Sequence, residues 1–184
     1  MIECEIKLKI ENKEIIKSRL MSLGFSERCS LTEIDTYYDN KNGDVRSNDN
    51  ALRIRETINH TTGDKYCQVN FKGKKLDANT VSRPEYETLV NDPQAMTGIL
   101  NGLGFYSVKP IVKKLRLEMQ ASDINACLDS VEGLGDYLEL ETIVATESEK
   151  EAALEKISAI LEKLGYCIND TTTISYLSAL QEKN

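Results

Sequence analysis

The chain has 184 residues, with 23 Lys and Arg against 30 Asp and Glu, which gives a formal net charge of −7 at pH 7. This length suits one domain, and the acidic balance argues against a protein that binds nucleic acid, because such proteins need a surplus of cations. No apolar run approaches the ~20 residues that span a bilayer, and the N-terminus has no signal-peptide pattern, so we expect a cytoplasmic protein without membrane contact.

The alternation of apolar and polar residues predicts the elements in chain order. A strand at residues 2–10 precedes a helix at 12–23, and strands follow at 32–39, 51–57 and 65–72. After a mobile polar loop at 73–82, a strand at 83–88 leads to a helix at 92–103, a strand at 111–119 and a short helix at 122–128. A strand at 138–141 and helices at 146–164 and 174–181 complete one α+β domain over residues 1–184, with at least about seven mostly antiparallel strands.

Three of these segments share one design. A strand with alternating charged residues is followed each time by a helix that ends at a Leu-Gly-aromatic sequence, around Gly24, Gly104 and Gly165. Three occurrences in the same order indicate a structural repeat or a pseudo-symmetric sheet.

The single His and the five cysteines restrict the metal chemistry. One His is incompatible with a His-rich metal site, and the cysteines are widely spaced without a Cys-x-x-Cys. We therefore expect reduced thiols, neither a disulfide framework nor a zinc site.

Like charges recur two residues apart on the predicted strands. The pairs are Glu3 and Glu5, Arg53 and Arg55, Lys114 and Arg116, and Glu139 and Glu141. A solvated strand face would explain alternation, but it would not favour pairs of like charge. The apolar faces are needed to bury the helices, so the charged faces would line a common lumen if the sheet curls. Paired carboxylates suit Mg²⁺ or Mn²⁺, and paired cations suit phosphate oxygens, which together favour phosphoryl or nucleotidyl transfer.

The order of motifs along the chain carries a family resemblance. Glu3-x-Glu5-x-Lys7 comes first, followed by residues 35–39, 52–55, 71–73 and 83–87, then Lys114-x-Arg116 and residues 128–141. This order resembles the CYTH superfamily, also called triphosphate tunnel metalloenzymes, over residues 2–142. Ser175-Tyr176 is similar to the C-terminal Ser-Tyr of that family.

The resemblance implies an eight-stranded antiparallel β-barrel, or tunnel, with a charged lumen and with helices packed on its outer surface. It implies that Mg²⁺ or Mn²⁺ is bound by Glu3, Glu5, Asp129, Glu139 and Glu141. It implies that phosphates are bound by Lys7, Arg53, Arg55, Lys72, Arg83, Lys114 and Arg116, with Glu5, Lys7 and Lys114 as the catalytic residues. Glu85 and Glu87 match acidic positions that could serve either the metal or ion pairs. The alternative for every one of these residues is a structural ion pair across the lumen.

The implied activity is that of class IV adenylate cyclases, which convert ATP to cAMP and pyrophosphate, because the Gly133-Leu134-Gly135-Asp136 turn is similar to theirs. The alternatives are a triphosphatase acting on tripolyphosphate, thiamine triphosphate or a nucleoside triphosphate, and a non-catalytic nucleotide or polyphosphate binder. Ile174 departs from the family, which usually has Arg before the Ser-Tyr. Residues 35–39 are interpreted as strand architecture, and a homodimer is compatible with the family.

Overall fold

Eight strands form one antiparallel sheet in this computed structural model, which describes residues 2–74 and 83–183. The strands are β1 (Ile2–Lys9), β2 (Ser26–Asn40), β3 (Ala51–Asn59), β4 (Lys65–Lys72), β5 (Glu85–Leu89), β6 (Phe105–Ala121), β7 (Ile124–Val131) and β8 (Gly135–Val144). All but the first two residues of the predicted mobile loop at 73–82 lie outside the described residues.

Five helices join or follow these strands. They are α1 (Lys13–Ser22), α2 (Asp44–Ser47), α3 (Pro93–Gly102), α4 (Lys150–Lys163) and α5 (Tyr176–Lys183). Two of them begin where the sequence predicts, because the side chains of Asn12 and Asp92 accept hydrogen bonds from backbone N–H groups of the first turn. No helix in the described ranges is long and apolar enough to cross a membrane.

The three strand–helix units predicted from the sequence are confirmed. β1 leads to α1, β5 to α3 and β8 to α4. The helices are followed by Gly24, Gly104 and Gly165, whose φ angles are 91°, 90° and 89°. This left-handed conformation suits glycine and ends each helix in the same way.

The sheet curls so that β1, at one end, approaches β4, the last strand but one at the other end. The strand order is β1-β8-β7-β6-β2-β3-β4-β5, and all neighbours are antiparallel. The Nζ atom of Lys72 on β4 nevertheless lies 3.6 Å from Oε2 of Glu3 on β1. The predicted α+β fold with an eight-stranded antiparallel tunnel is confirmed, although no backbone pairing joins β1 to β5 among the described residues.

One face of the sheet is apolar and carries the helices. The main core combines β1 with α1 and α4, and its members include Cys4, Ile6, Leu8, Ile16, Leu20, Ile157 and Leu161, all between 0% and 4% exposed. Each buried Leu or Ile contributes about 1.5–3 kcal/mol. Since side chains alternate along a strand, the intervening Glu3, Glu5 and Lys7 point to the other face, inside the curl. The prediction of helices on the outer surface is confirmed.

The predicted short helix at 122–128 is wrong, because this segment belongs to β7. Its sequence lacks the polar alternation of the other strands, since Ala126, Cys127, Leu128 and Asp129 are all buried. β7 pairs with β6 along one edge and with β8 along the other, and the burial of four successive residues shows that both of its faces are covered as well. The short helix α2 was not expected, and it begins where the Asp39 carboxylate accepts hydrogen bonds from the Val45 and Arg46 backbone N–H groups.

Candidate functional site

Cross-strand register brings the charged residues to one lumen. Glu5 lies opposite Glu141 and Lys7 opposite Glu139 where β1 pairs with β8. Arg116 lies opposite Asp129 where β6 pairs with β7. Residues opposite each other on antiparallel strands point to the same face, so these pairings assemble the site from four strands.

Three carboxylates form a cluster at one side of the lumen. Glu3, Glu5 and Glu141, here called the carboxylate cluster, each place an oxygen within 4.8 Å of the others and are half-buried. Burial raises the pKa of Glu5 to about 8, and the charge of Glu139 adds to this shift. Burial and the charge of Glu3 raise the pKa of Glu141 to about 7.

The carboxylate cluster has few partners within the described residues. Asn125 Nδ2 donates to Glu141 Oε1 at 3.2 Å, and Lys72 Nζ approaches Glu3 Oε2 at 3.6 Å. The negative charge of these three carboxylates is therefore balanced by few protein groups. Converging carboxylate oxygens are the ligands that Mg²⁺ and Mn²⁺ use. The residues therefore fit the expected cation.

The adjacent part of the lumen is an ion-pair network centred on Asp129, which is fully buried. Arg116 donates from Nε and Nη2 to the two Asp129 oxygens at 2.7 and 2.6 Å, and Lys114 Nζ donates to Oδ2 at 2.8 Å. Arg116 also donates to Glu139. Burial alone would raise the pKa of Asp129, but Arg116 and Lys114 hold it far below its usual value.

The network continues onto β2 and β3. Arg55 donates to both oxygens of Asp35 at 2.6 and 2.7 Å and to Glu33 Oε1 at 2.8 Å. Lys114 Nζ lies 3.1 Å from Glu33 Oε2, which links the two halves of the network. Arg53 makes a longer contact of 3.2 Å with Asp35, and its Nε has no hydrogen-bond partner among the described residues.

From the sequence, residues 35–39 are interpreted as residues that only build a strand, and the ion pairs of Asp35 in the lumen are not predicted. Glu33 and Asp35 are 5% and 2% exposed and hold the lumen cations, whereas Asp39 caps α2. The signal was present in the sequence, because Glu33 and Asp35 have the same two-residue spacing as Glu3 and Glu5. We call the group of Glu33, Asp35, Arg53, Arg55, Lys114, Arg116, Asp129 and Glu139 the ion-pair network.

Tyr176 of α5 covers one end of the ion-pair network. Its hydroxyl donates to Asp129 Oδ2 at 3.1 Å, and Lys7 Nζ lies 4.6 Å and Lys114 Nζ 5.4 Å from its ring centroid. Burial raises the pKa of Tyr176, so its hydroxyl stays protonated and remains a donor. Burial lowers the pKa of Lys7, partly offset by the charges of Glu139 and Glu5.

The remaining predicted residues lie on or beside β4 and β5. Lys72 Nζ lies 2.9 Å from Glu85 Oε2, and Asn70 donates from Nδ2 to Glu85 at 3.3 Å and to Glu87 at 2.7 Å. Glu85 is therefore held by an ion pair and an amide hydrogen bond, and Glu87 by an amide hydrogen bond. Arg83 is not brought to the network in its described contacts, because Nη1 donates to the Asp49 backbone carbonyl at 3.4 Å.

A curled eight-stranded sheet whose lumen combines carboxylates with paired cations defines the class of triphosphate tunnel proteins. The chain belongs to the CYTH domain family, whose pattern matches residues 1–176, and this family acts on triphosphate substrates. The family membership predicted from the sequence is thus confirmed.

Individual relatives agree with this assignment. The chain is 37% identical over 177 residues to a protein of Methanocaldococcus jannaschii named "putative adenylate cyclase", covering 96% of this chain and 97% of that one. Its fold is similar to that of the PH1819 protein of Pyrococcus horikoshii, with 31% identity, a TM-score of 0.88 and 99% of both chains covered. The fold is also shared, at 18% identity and a TM-score of 0.68, by a Hippeastrum protein described as a "putative adenylyl cyclase" with a dominant triphosphatase activity, covering 100% of this chain and 96% of that one.

Proposed function

We propose that the protein is a divalent-metal-dependent enzyme that converts ATP to cAMP and pyrophosphate. The observation that carries this proposal is the carboxylate cluster, Glu3, Glu5 and Glu141, placed beside Lys7 and the ion-pair network. A cation site next to several guanidinium and ammonium groups is the arrangement that nucleotidyl transfer requires. The name of the M. jannaschii relative supports cyclisation as the first choice.

Glu3, Glu5 and Glu141 would hold Mg²⁺ or Mn²⁺. A bound ion supplies positive charge that lowers the pKa of the ribose 3′-hydroxyl and offsets charge on the α-phosphate. Asp129 and Glu139 were also predicted as ligands, but both oxygens of Asp129 accept hydrogen bonds from Lys114 or Arg116, and Oε2 of Glu139 accepts one from Arg116. In this proposal those two acids position the cations.

The cations of the lumen bind the triphosphate. The proposed phosphate-binding residues in the lumen are Lys7, Arg53, Arg55, Lys72, Lys114 and Arg116, and Arg83 is added on the family resemblance alone, since its described contact is with the Asp49 backbone. The 3′-oxygen forms a bond to the α-phosphorus, the bond from that phosphorus to the bridging oxygen breaks, and pyrophosphate leaves with both bonding electrons. The hydroxyl proton passes to solvent at the half-buried Glu3 side of the lumen. Lys7 and Lys114 stabilise the charge that develops on the leaving pyrophosphate.

The second candidate is a triphosphatase that uses the same groups with water as the nucleophile. Ile174, which stands where the family usually has Arg and is 47% exposed, favours this candidate because it removes one cation. The triphosphatase activity described for the Hippeastrum protein adds to it. Cyclisation and hydrolysis differ in which phosphorus faces the nucleophile.

One assay panel tests the proposal. ATP, tripolyphosphate and thiamine triphosphate are incubated separately with Mg²⁺ or Mn²⁺, and cAMP, pyrophosphate and phosphate are quantified. We expect cAMP and pyrophosphate in equal amounts from ATP. Phosphate without cAMP would establish the triphosphatase, and binding of a triphosphate without turnover of any would leave a non-catalytic binder.

A further inference from the structure

A small cavity adjoins the carboxylate cluster. It has a volume of about 210 Å³ and is lined by Arg28, Glu118, Met119, Gln120, Asn125, Cys127 and Glu141. Glu141 belongs to both the cavity and the carboxylate cluster, so an occupant of this cavity would lie directly beside the cation. We call it the mouth cavity.

The mouth cavity and Tyr176 lie at opposite ends of the charged lumen. Tyr137 packs edge-to-face against Tyr176, with ring centroids 5.0 Å apart, whereas Glu141 lines the cavity on the same strand, β8. At ~3.3 Å per residue, four residues of β8 separate them by about 13 Å. A linear substrate whose phosphates extend from the carboxylate cluster toward Lys7 and Lys114 would place its other end in the mouth cavity.

The chemistry of the mouth cavity does not suit phosphate. Its lining holds two carboxylates, Glu118 and Glu141, against one guanidinium, that of Arg28, whereas the cations that match phosphate lie deeper. Its volume corresponds to about seven water molecules at ~30 Å³ each, which is enough for a ring system and smaller than typical sites for whole drug-sized ligands.

The polar groups of the mouth cavity suit a nitrogen heterocycle. The side chains of Gln120 and Arg28 make no hydrogen bond with any described residue, so their donors and acceptors are available. Arg28 is directed there by an irregularity of β2, since the register with β6 shifts between Glu27 and Cys29 and leaves Arg28 without a paired residue. Amide and guanidinium groups are the side chains that hydrogen-bond the edges of bases.

We propose that the mouth cavity binds the nucleobase of the triphosphate substrate, with the Gln120 amide and the Arg28 guanidinium hydrogen-bonding its edge. This inference rests on the proposed function, and it deepens that function by assigning the residues that select a nucleoside triphosphate over tripolyphosphate or thiamine triphosphate. Once Glu141 is neutralised by the cation, Glu118 and Arg28 balance each other. A neutral base is therefore favoured over the cationic ring of thiamine.

The test compares two substrates in two variants. Steady-state turnover of ATP and of tripolyphosphate is measured with Mn²⁺ for the unmodified protein, Gln120→Ala and Gln94→Ala, which makes the same change on the exposed surface of α3. We expect the ratio of kcat/KM for ATP to that for tripolyphosphate to fall about tenfold in Gln120→Ala, the loss of one hydrogen bond, and to stay constant in Gln94→Ala. Arg28→Ala, at an exposed position, serves as a second variant if Gln120→Ala fails to fold.

The outcomes separate this inference from the proposed function. A ratio that stays within twofold in both Gln120→Ala and Arg28→Ala would overturn the nucleobase assignment. Turnover of tripolyphosphate or thiamine triphosphate without turnover of ATP would also overturn it, while a metal-dependent activity on triphosphates survived. If no compound is turned over, calorimetric binding of ATP and tripolyphosphate with Mg²⁺ decides, and an unchanged ratio of their Kd values in Gln120→Ala contradicts the assignment.

Discussion

Two groups of acidic side chains lie in the lumen, and they differ in how far their negative charge is compensated. In the ion-pair network, Asp129 and Asp35 accept hydrogen bonds on both oxygens from guanidinium groups, and their pKa values lie below the usual range. In the carboxylate cluster, burial raises the pKa values of Glu5 and Glu141 to about 8 and about 7. The protein neutralises the first group with its own cations and leaves the second largely uncompensated.

This difference bears on how a triphosphate binds. The four cations of the network, Arg53, Arg55, Lys114 and Arg116, face its four carboxylates, so the network has no surplus charge to offer a polyanion. Beside the carboxylate cluster, Lys7 and a divalent cation would together balance the three charges of Glu3, Glu5 and Glu141, whereas the metal-free lumen stays net negative and repels a polyanion. We therefore expect the metal and the triphosphate to bind together. The triphosphate should have little affinity for the metal-free protein.

The largest effect is expected from breaking the network. Asp129→Asn leaves Lys114 and Arg116 buried without their shared partner, and we expect the free energy of unfolding to fall by about 3–5 kcal/mol, measured by urea denaturation. Asp123→Asn is the matched control, because Asp123 forms an exposed ion pair with Lys156, worth about 0–1 kcal/mol. Equal losses in the two variants would show that Asp129 is not held as described.

Removing a charge from the carboxylate cluster should have the opposite effect on stability, and it should reduce turnover instead. Glu5→Gln keeps the shape of the side chain and removes a charge that burial disfavours, so the metal-free fold should be at least as stable. Turnover with Mg²⁺ or Mn²⁺ should drop more than about 100-fold, since mutations at catalytic electrostatic positions cost about that much. Glu132→Gln, on an exposed side chain, is the control, and activity retained by Glu5→Gln would remove Glu5 from the metal site.

Arg53 and Arg55, the two arginines of β3, should differ in how much each contributes to stability. Arg53→Ala should raise KM for the triphosphate about tenfold with little loss of stability, because Arg53 makes one long contact and has an unpartnered Nε. Arg55→Ala should raise KM as well, but it should also lower the free energy of unfolding by more, because three hydrogen bonds are lost. An unchanged KM in either variant would identify that arginine as structural only.

The most gradual expected effect is a pH dependence. The raised pKa of Glu5, about 8 in the folded protein against 4.5 when unperturbed, means that the folded state binds more protons between those values. The metal-free protein should therefore lose stability as pH rises from about 4.5 to about 8, by about 2–4 °C in Tm for each kcal/mol. Stabilisation by Mg²⁺ should grow over the same range, because the ligands must be deprotonated.

Glu5→Gln should reduce both pH trends. Asp129, whose pKa is lowered, contributes stability that disappears only in strong acid, outside this window. A Tm that rises from pH 6 to pH 8 in the metal-free protein would contradict the uncompensated state of the carboxylate cluster.

Most of the fold is predicted by the two-residue alternation of apolar and polar side chains. In β1 this alternation is present because one face packs against α1 and α4 and the other faces the lumen. Alternation fails where both faces are buried, so β7 was mistaken for a helix. In the site, like-charge pairs identified Glu3, Glu5 and Arg55. The spacing of Glu33 and Asp35 is visible in the sequence, but their role is not, because it depends on the register of β2 with β3 and β6 that sets Asp35 opposite Arg55 and Glu33 opposite Lys114.

The pairing of β1 with β8 places the strands that come first and last in chain order side by side in the sheet. Glu3 and Glu5 are therefore synthesised before Glu141, which emerges only after six further strands. A site shared by such distant segments exists only once the long loop between them has closed, a slow, non-local event. The proposed cation site is thus a property of the finished sheet, and a nascent or truncated chain that carries the first motif alone should lack it.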